Sequence, residues 1–217
     1  MKKTLIALFG APGCGKGYLG NCIKEELINQ NIISLAEFGY ISTGDLLRAE
    51  VTSNTPLGQQ ISQIMTSGQL VSDEIVNILV EKAITNEKKI TILDGYPRTN
   101  AQLEFLQSIT QTTDFQIISI KRDTPTEIIL ERVLQRRICE DCKCTHNIND
   151  GKCPKCGGKS IIRKDDAAIV PRLSEYQKNT SPIWDKLANI SHKHQIVDGS
   201  LDAKEISQKL VATLFID

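Results

Sequence analysis

The sequence predicts an α/β fold, a parallel sheet flanked by helices, and three observations carry that prediction. Apolar, β-rich runs at residues 4–9, 90–93, 115–120 and 195–198 alternate with stretches of helical periodicity, the pattern of a parallel sheet wrapped by helices. The first run, Leu5-Ile6-Ala7-Leu8-Phe9, passes straight into a glycine-rich turn and then a helical pattern, a strand–loop–helix unit. At 217 residues the chain suits one large domain, or a core with small insertions, and is long enough to bury a substantial hydrophobic centre.

The turn after the first strand reads Gly10-Ala11-Pro12-Gly13-Cys14-Gly15-Lys16-Gly17. Glycines let the backbone fold around a polyphosphate, so that amide N–H groups, the positive end of the next helix and the Lys16 ammonium converge on anionic oxygens. The ligand class this implies is a nucleoside triphosphate. Leu19, Cys22, Ile23 and Leu27 then recur at helical spacing, which makes Cys22 a core residue of that helix. Cys14 sits at a helix amino terminus, where its plainest role is a small filler within the loop.

Residues 42–71 interrupt the alternation with two short helical patterns, the second carried by Leu57, Ile61, Ile64 and Met65. Val76, Leu79, Val80 and Ala83 mark another helix. Asp94 ends the second run beside the phosphate loop, where a carboxylate can orient the water ligands of magnesium; Asp94-Gly95 also reads as a simple turn dipeptide. Thr124-Pro125-Thr126-Glu127 and Asp202-Ala203-Lys204-Glu205 each place a capping side chain three residues before a glutamate, so both predict helix starts.

Residues 135–166 are rich in cysteine, glycine and lysine and nearly aperiodic, which predicts an insertion stapled by a metal. Cys139-Glu140-Asp141-Cys142 and Cys153-Pro154-Lys155-Cys156 are two Cys-x2-Cys pairs able to close a tetrahedral S4 site, structural because no position stays open for water. Zinc is the expected ion, although iron takes the same ligand set, and Cys144 is a fifth thiol within reach. His146 reads as an exposed loop residue.

Acidic and basic residues balance at 26 each, so no broad basic surface of the kind a duplex nucleic-acid binder needs is expected. The apolar runs are strand-sized rather than membrane-spanning, and Met1-Lys2-Lys3 leads directly into a strand without a cleavage site, which together predict a cytoplasmic protein without nucleic-acid or membrane partners.

The Gly10–Gly17 loop, Ser42-Thr43-Gly44-Asp45-Leu46-Leu47-Arg48, Asp94-Gly95-Tyr96-Pro97-Arg98-Thr99 and the cysteine pairs, in this order, resemble the adenylate kinases of the nucleoside monophosphate kinase group, in the long form with a zinc-bearing lid. The resemblance covers nearly the whole chain. It implies a P-loop NTPase-type core at 1–41, 72–134 and 167–217, an NMP-binding insertion at 42–71 and a lid at 135–166. It implies the reaction ATP + AMP = 2 ADP with Mg2+, a monomer, and a part in AMP salvage and adenine nucleotide homeostasis.

The chain has eight arginines, and the resemblance gives roles to six of them. Arg48 and Arg98 clamp the AMP phosphate; Arg136, Arg163 and Arg172 grip the transferring phosphoryl group, the last two also contacting AMP; Arg132 stacks on the adenine of ATP. Arg122 and Arg137 receive none. Gly10, Gly13, Cys14, Gly15, Lys16, Gly17, Tyr18 and Gly199 complete the ATP site, Thr43, Gly95 and Gln102 the AMP site, with Thr43 and Gln102 directing base choice toward AMP rather than UMP or CMP. One departure stands out: the family's loop usually continues Lys-Gly-Thr, whereas this chain has Lys16-Gly17-Tyr18, which replaces a phosphate-binding hydroxyl by a phenol. Three other readings follow from the same residues: a different nucleoside monophosphate kinase, a zinc-ribbon nucleic-acid binder, and a nucleotide-binding protein whose transfer is weakened at Tyr18.

Overall fold

In the computed structural model, which describes residues 2–53, 55–67, 69–84, 88–142 and 144–215, the strands run β1 (Lys3–Phe9), β2 (Phe38–Ser42), β3 (Ile90–Asp94), β4 (Phe115–Asp123), β5 (Arg136–Cys139), β6 (Thr145–Asn147), β7 (Ser160–Ile161) and β8 (Lys193–Asp198). Met1, Asn54, Gly68 and Lys143, which fall in segments singled out in the sequence, lie outside the described residues. The helices are α1 (Lys16–Asn29), α2 (Thr43–Thr52), α3 (Pro56–Ser67), α4 (Asp73–Ala83), α5 (Asn100–Thr112), α6 (Thr126–Gln135), α7 (Ile169–Glu175), α8 (Trp184–Ile190) and α9 (Ala203–Phe215).

Five strands form a parallel sheet in the order β2-β3-β1-β4-β8, so the α/β prediction holds. Period-two alternation along β1 feeds two cores. Leu5, Ala7 and Phe9 pack with Leu93, Ile117 and Trp184 on one face, while Ile6 and Leu8 pack with α1 and α9 through Leu19, Ile23, Ile206 and Leu210 on the other. Both faces are covered, which is why the central strands read as continuous apolar runs. Strand β2 lies beyond the predicted runs: it contains Gly39, sits at the sheet edge and buries only Phe38 and Ile41, so no apolar run marks it.

Register brings the chemistry to one end of the sheet. Leu8 pairs with Asp94, and Ser42 pairs with Asp94 from the other side, so the carboxyl ends of β1, β2 and β3 open together where an open α/β sheet binds ligands.

Of the two expected helix caps, one forms. Asp202 Oδ1 accepts the Lys204 and Glu205 N–H groups at 2.8 and 3.3 Å and starts α9. Thr124 does not cap α6, because Pro125 occupies the N-cap position and leaves Thr124 one residue outside the helix; its hydroxyl turns to the Cys14 carbonyl instead.

The stretch read as aperiodic forms a three-stranded antiparallel sheet, β6-β5-β7. Its strands are too short to show a period in sequence. His146 is not an exposed loop residue: it pairs across from Arg137 in β6, is buried, and joins the Cys144 carbonyl at 3.2 Å and Ser160 Oγ at 2.6 Å. Those partners satisfy both ring nitrogens in a segment with little apolar material.

Candidate active site

The phosphate loop bridges β1 and α1. Gly10, Gly13 and Gly15 have φ of +145°, +84° and +94°, and Gly15 is the N-cap of α1, so a side chain there would strain the backbone that aims the helix start at a ligand. Lys16 Nζ donates to the Gly10 and Ala11 carbonyls at 2.8 and 2.9 Å, which places its charge over the loop's concave side. Cys14 is 0 % exposed, packs with Ile129, Val133 and Leu173 as a filler would, and accepts from Lys16 Nζ at its sulfur at 3.7 Å.

Asp94 stands at the end of β3 with Oδ2 accepting the Tyr40 hydroxyl at 3.0 Å, and a Cβ on Gly17 would lie 3.5 Å from the same oxygen. The carboxylate therefore faces the first turn of α1 beside Lys16, a position suited to the waters of a magnesium ion. Tyr40 was not singled out in the sequence, because its partner lies 54 residues away. Burial, followed by the Asp94 charge, pushes the Tyr40 phenol well above its ordinary value, so it stays protonated and donates.

Next to Asp94, Arg98 donates from Nε to the Gly95 carbonyl at 2.7 Å. Burial pushes its pKa down, Asp94 favours the charged form, and Arg48 and Arg163 oppose it, which brings Arg48, Arg98, Arg163 and Asp94 into one field. Arg48 is held by Asp45 one helical turn away. Like charges gathered this way suit an anion with several phosphates. Arg172 precedes Leu173, which packs on Cys14, so α7 carries it to the flank of the loop.

Two residues expected in the AMP site have their polar groups engaged within the protein beside Arg98. Thr43 donates to the Gly95 carbonyl at 3.0 Å, while Gln102 accepts from Arg98 N at 2.8 Å and donates to Asp73 Oδ1 at 2.7 Å; both are buried. They form the wall behind Arg98. Arg136 makes a two-pronged contact with buried Asp166, with Nε 3.1 Å from Oδ2 and Nη2 on Oδ1, a partnership that sequence reading missed because Asp166 lies 30 residues away, in a short 3-10 turn before α7. Asp166 orients the guanidinium rather than neutralising a site at random.

Arg132 Nη1 donates to the Cys14 carbonyl at 3.1 Å. Gly199 follows β8 beside the end of β4: its N–H reaches the Asp123 carbonyl, and a Cβ would lie 1.8 Å from Thr124 Oγ1, so only glycine fits. Tyr18 is 56 % exposed, with Cys22 one turn further along α1. Restoring the smaller hydroxyl with Tyr18→Thr is expected to lower the ATP KM by up to about tenfold, the worth of one hydrogen bond to a charged group. An unchanged or raised KM in steady-state assays would show that the phenol costs nothing.

The thiols of Cys139, Cys142, Cys153 and Cys156 lie within 4.8 Å of one another, with Cys139–Cys156 at 3.5 Å and Cys142–Cys153 at 3.6 Å. A zinc ion with Zn–S bonds of about 2.3 Å has ligand sulfurs about 3.8 Å apart, so the cluster fits a tetrahedral S4 ion. Cys144 turns its sulfur to the Thr145 carbonyl and stands outside the cluster.

The family model described as Adenylate kinase matches residues 8–192. Among curated relatives, the adenylate kinase of Clostridium tetani is 34 % identical over 94 % of this chain and 95 % of its own length. That of Mycoplasmopsis pulmonis is 35 % identical over 94 % of each, and that of Ruminiclostridium cellulolyticum 33 % identical over 97 % of this chain and 99 % of its own. A phosphate loop, a strand-end carboxylate, a ring of arginines and a four-cysteine cluster thus agree with similarity along nearly the full length: the chain belongs to the adenylate kinase family.

Proposed function

We propose that this chain catalyses the reversible reaction ATP + AMP = 2 ADP by direct in-line transfer of the terminal phosphoryl group. The observation that carries the reading is the convergence of the Lys16 loop, Asp94 and the Arg48, Arg98 and Arg163 charges at the carboxyl ends of β1, β2 and β3. Lys16 and the amides of Gly10, Gly13, Cys14, Gly15 and Gly17 hold the ATP phosphates; Asp94 orients waters of the substrate's Mg2+. Arg48 and Arg98 clamp AMP, with Gly95 giving room beside them. Arg136, steadied by Asp166, acts with Arg163 and Arg172 on the moving phosphoryl group. The acceptor is a phosphate oxygen already ionised at pH 7, so positioning and charge stabilisation suffice and no general base is required.

In this reading residues 42–71 close over AMP and 135–166 over ATP, which keeps water from taking the phosphoryl group. Zinc, held by the four thiols, supplies rigidity to the second of these and no chemistry. A monomer is the state that the resemblance to adenylate kinases implies. A cytoplasmic role in AMP salvage, without nucleic-acid or membrane partners, goes with the similarity to adenylate kinases and the balanced charge. No helix among the described residues is long and apolar enough to cross a membrane.

The test is ATP-dependent phosphorylation of AMP, UMP, CMP and GMP with magnesium. AMP is expected to win by at least about tenfold in kcat/KM, the acceptor preference that the similarity to adenylate kinases implies. Equal or better use of UMP or CMP would transfer the chain to another acceptor class.

A further inference from the structure

Arg122 is a buried charge to which the transfer reaction gives no task. It lies in β4, is 3 % exposed and makes no ion pair among the described residues. Its guanidinium is spent on backbone carbonyls from two separate segments: Nη1 donates to Gly15 at 3.0 Å, and Nη2 donates to Gly199 at 3.2 Å and Leu201 at 3.3 Å, while Nε has no hydrogen-bond partner. A buried cation costs several kcal/mol of lost hydration, on the order of what its hydrogen bonds return, so it is a poor device for stability alone.

What it joins is specific. Gly15 ends the phosphate loop and starts α1, and Gly199–Leu201 is the turn that follows β8. Arg132, from α6, fastens to the same loop one residue earlier, at Cys14. The loop that cradles the triphosphate is therefore tied to both segments that the resemblance places in the ATP site beyond it, Arg132 at the adenine and Gly199 in the turn after β8. A planar fork with donors on two sides can span the gap; an ammonium on a flexible stem presents its donors from one point.

We propose that Arg122 is a positioning residue for ATP, fixing the 199–201 turn against the phosphate loop and thereby setting the distance between the adenine site beside Arg132 and the triphosphate site at Lys16. It rests on the reading of Arg132 at the adenine and of Gly199 in the ATP site. ATP bridges both sites at once, whereas inorganic tripolyphosphate uses only one and AMP neither.

The experiment measures equilibrium binding of ATP, AMP and inorganic tripolyphosphate to wild type, Arg122→Met, Arg122→Lys and Arg132→Ala, with steady-state kinetics alongside. Arg122→Met is expected to weaken ATP about tenfold, with tripolyphosphate changed less than about threefold, AMP unchanged, and the loss appearing in the ATP KM rather than in kcat. Arg122→Lys, which keeps the buried charge, should show the same selectivity with a smaller loss and serves if the methionine variant does not fold. Equal weakening of ATP and tripolyphosphate would mean that Arg122 acts through charge on the phosphates and would overturn the proposal. So would equal weakening of ATP and AMP, the mark of a general structural role. If Arg132→Ala loses ATP selectively while both Arg122 variants bind it normally, the base site stands and the Arg122 proposal falls; if Arg132→Ala also binds ATP normally, the base-site reading falls with it.

Discussion

Arg98→Ala is expected to lower kcat about a thousandfold, while Arg137→Ala changes it less than about twofold, because only the first removes a preorganised donor from the charge that develops on the phosphates. Arg98 is fixed for that task from three sides: its Nε rests on Gly95, its backbone N–H on Gln102, and Asp94 favours its charged form against Arg48 and Arg163. Arg137, by contrast, bonds only to neighbouring carbonyls of Leu134 and Arg136 among the described contacts. Rapid-quench or coupled assays at saturating ATP and AMP measure the ratio, and ATP binding checks that the variant is folded. Equal losses in the two variants would remove Arg98 from the transfer machinery.

Removing the metal from the four-cysteine cluster, by chelation or by Cys153→Ser, is expected to lower the first thermal unfolding midpoint by about 10 °C, taking a loss of about 3 kcal/mol in a chain of this size. The reason lies in what β5, β6 and β7 bury. From 136 to 161 the buried side chains among the described residues are Cys139, His146 and Cys153, with no aliphatic group, so the sulfur cluster stands where a hydrophobic core would. Differential scanning calorimetry with metal analysis gives the answer. An unchanged midpoint in metal-free protein would mean that strand pairing alone holds this segment; a fall in kcat at saturating ATP with an unchanged midpoint would point to a role in closure instead.

The phosphate loop, the strands of the central sheet other than β2, the helices α1, α3, α4 and α9, and the cysteine pairs were legible because each is written over a short window. Periodicity, capping and Cys-x2-Cys spacing are local signals. Thr124 shows the limit of a local signal: the spacing to Glu127 matches a capping box, yet Pro125 takes the cap and the hydroxyl serves Cys14. His146 shows another, since its burial depends on Ser160 and Cys144 closing over it.

By itself the sequence determined the fold class, the family, the glycine-rich loop and two paired cysteine motifs, because those are properties of residues close along the chain. Only the tertiary structure decided that Tyr40 holds Asp94, that Asp166 holds Arg136, that Cys144 stands apart from its four neighbours, and that Arg122, unassigned by resemblance, ties Gly15 to Gly199 and Leu201. Most of those partners are brought together by strand register and by helix packing across long sequence separations. The energetic requirement that buried polar groups find partners selects which of many candidates meet, and that selection exists only once the chain is folded.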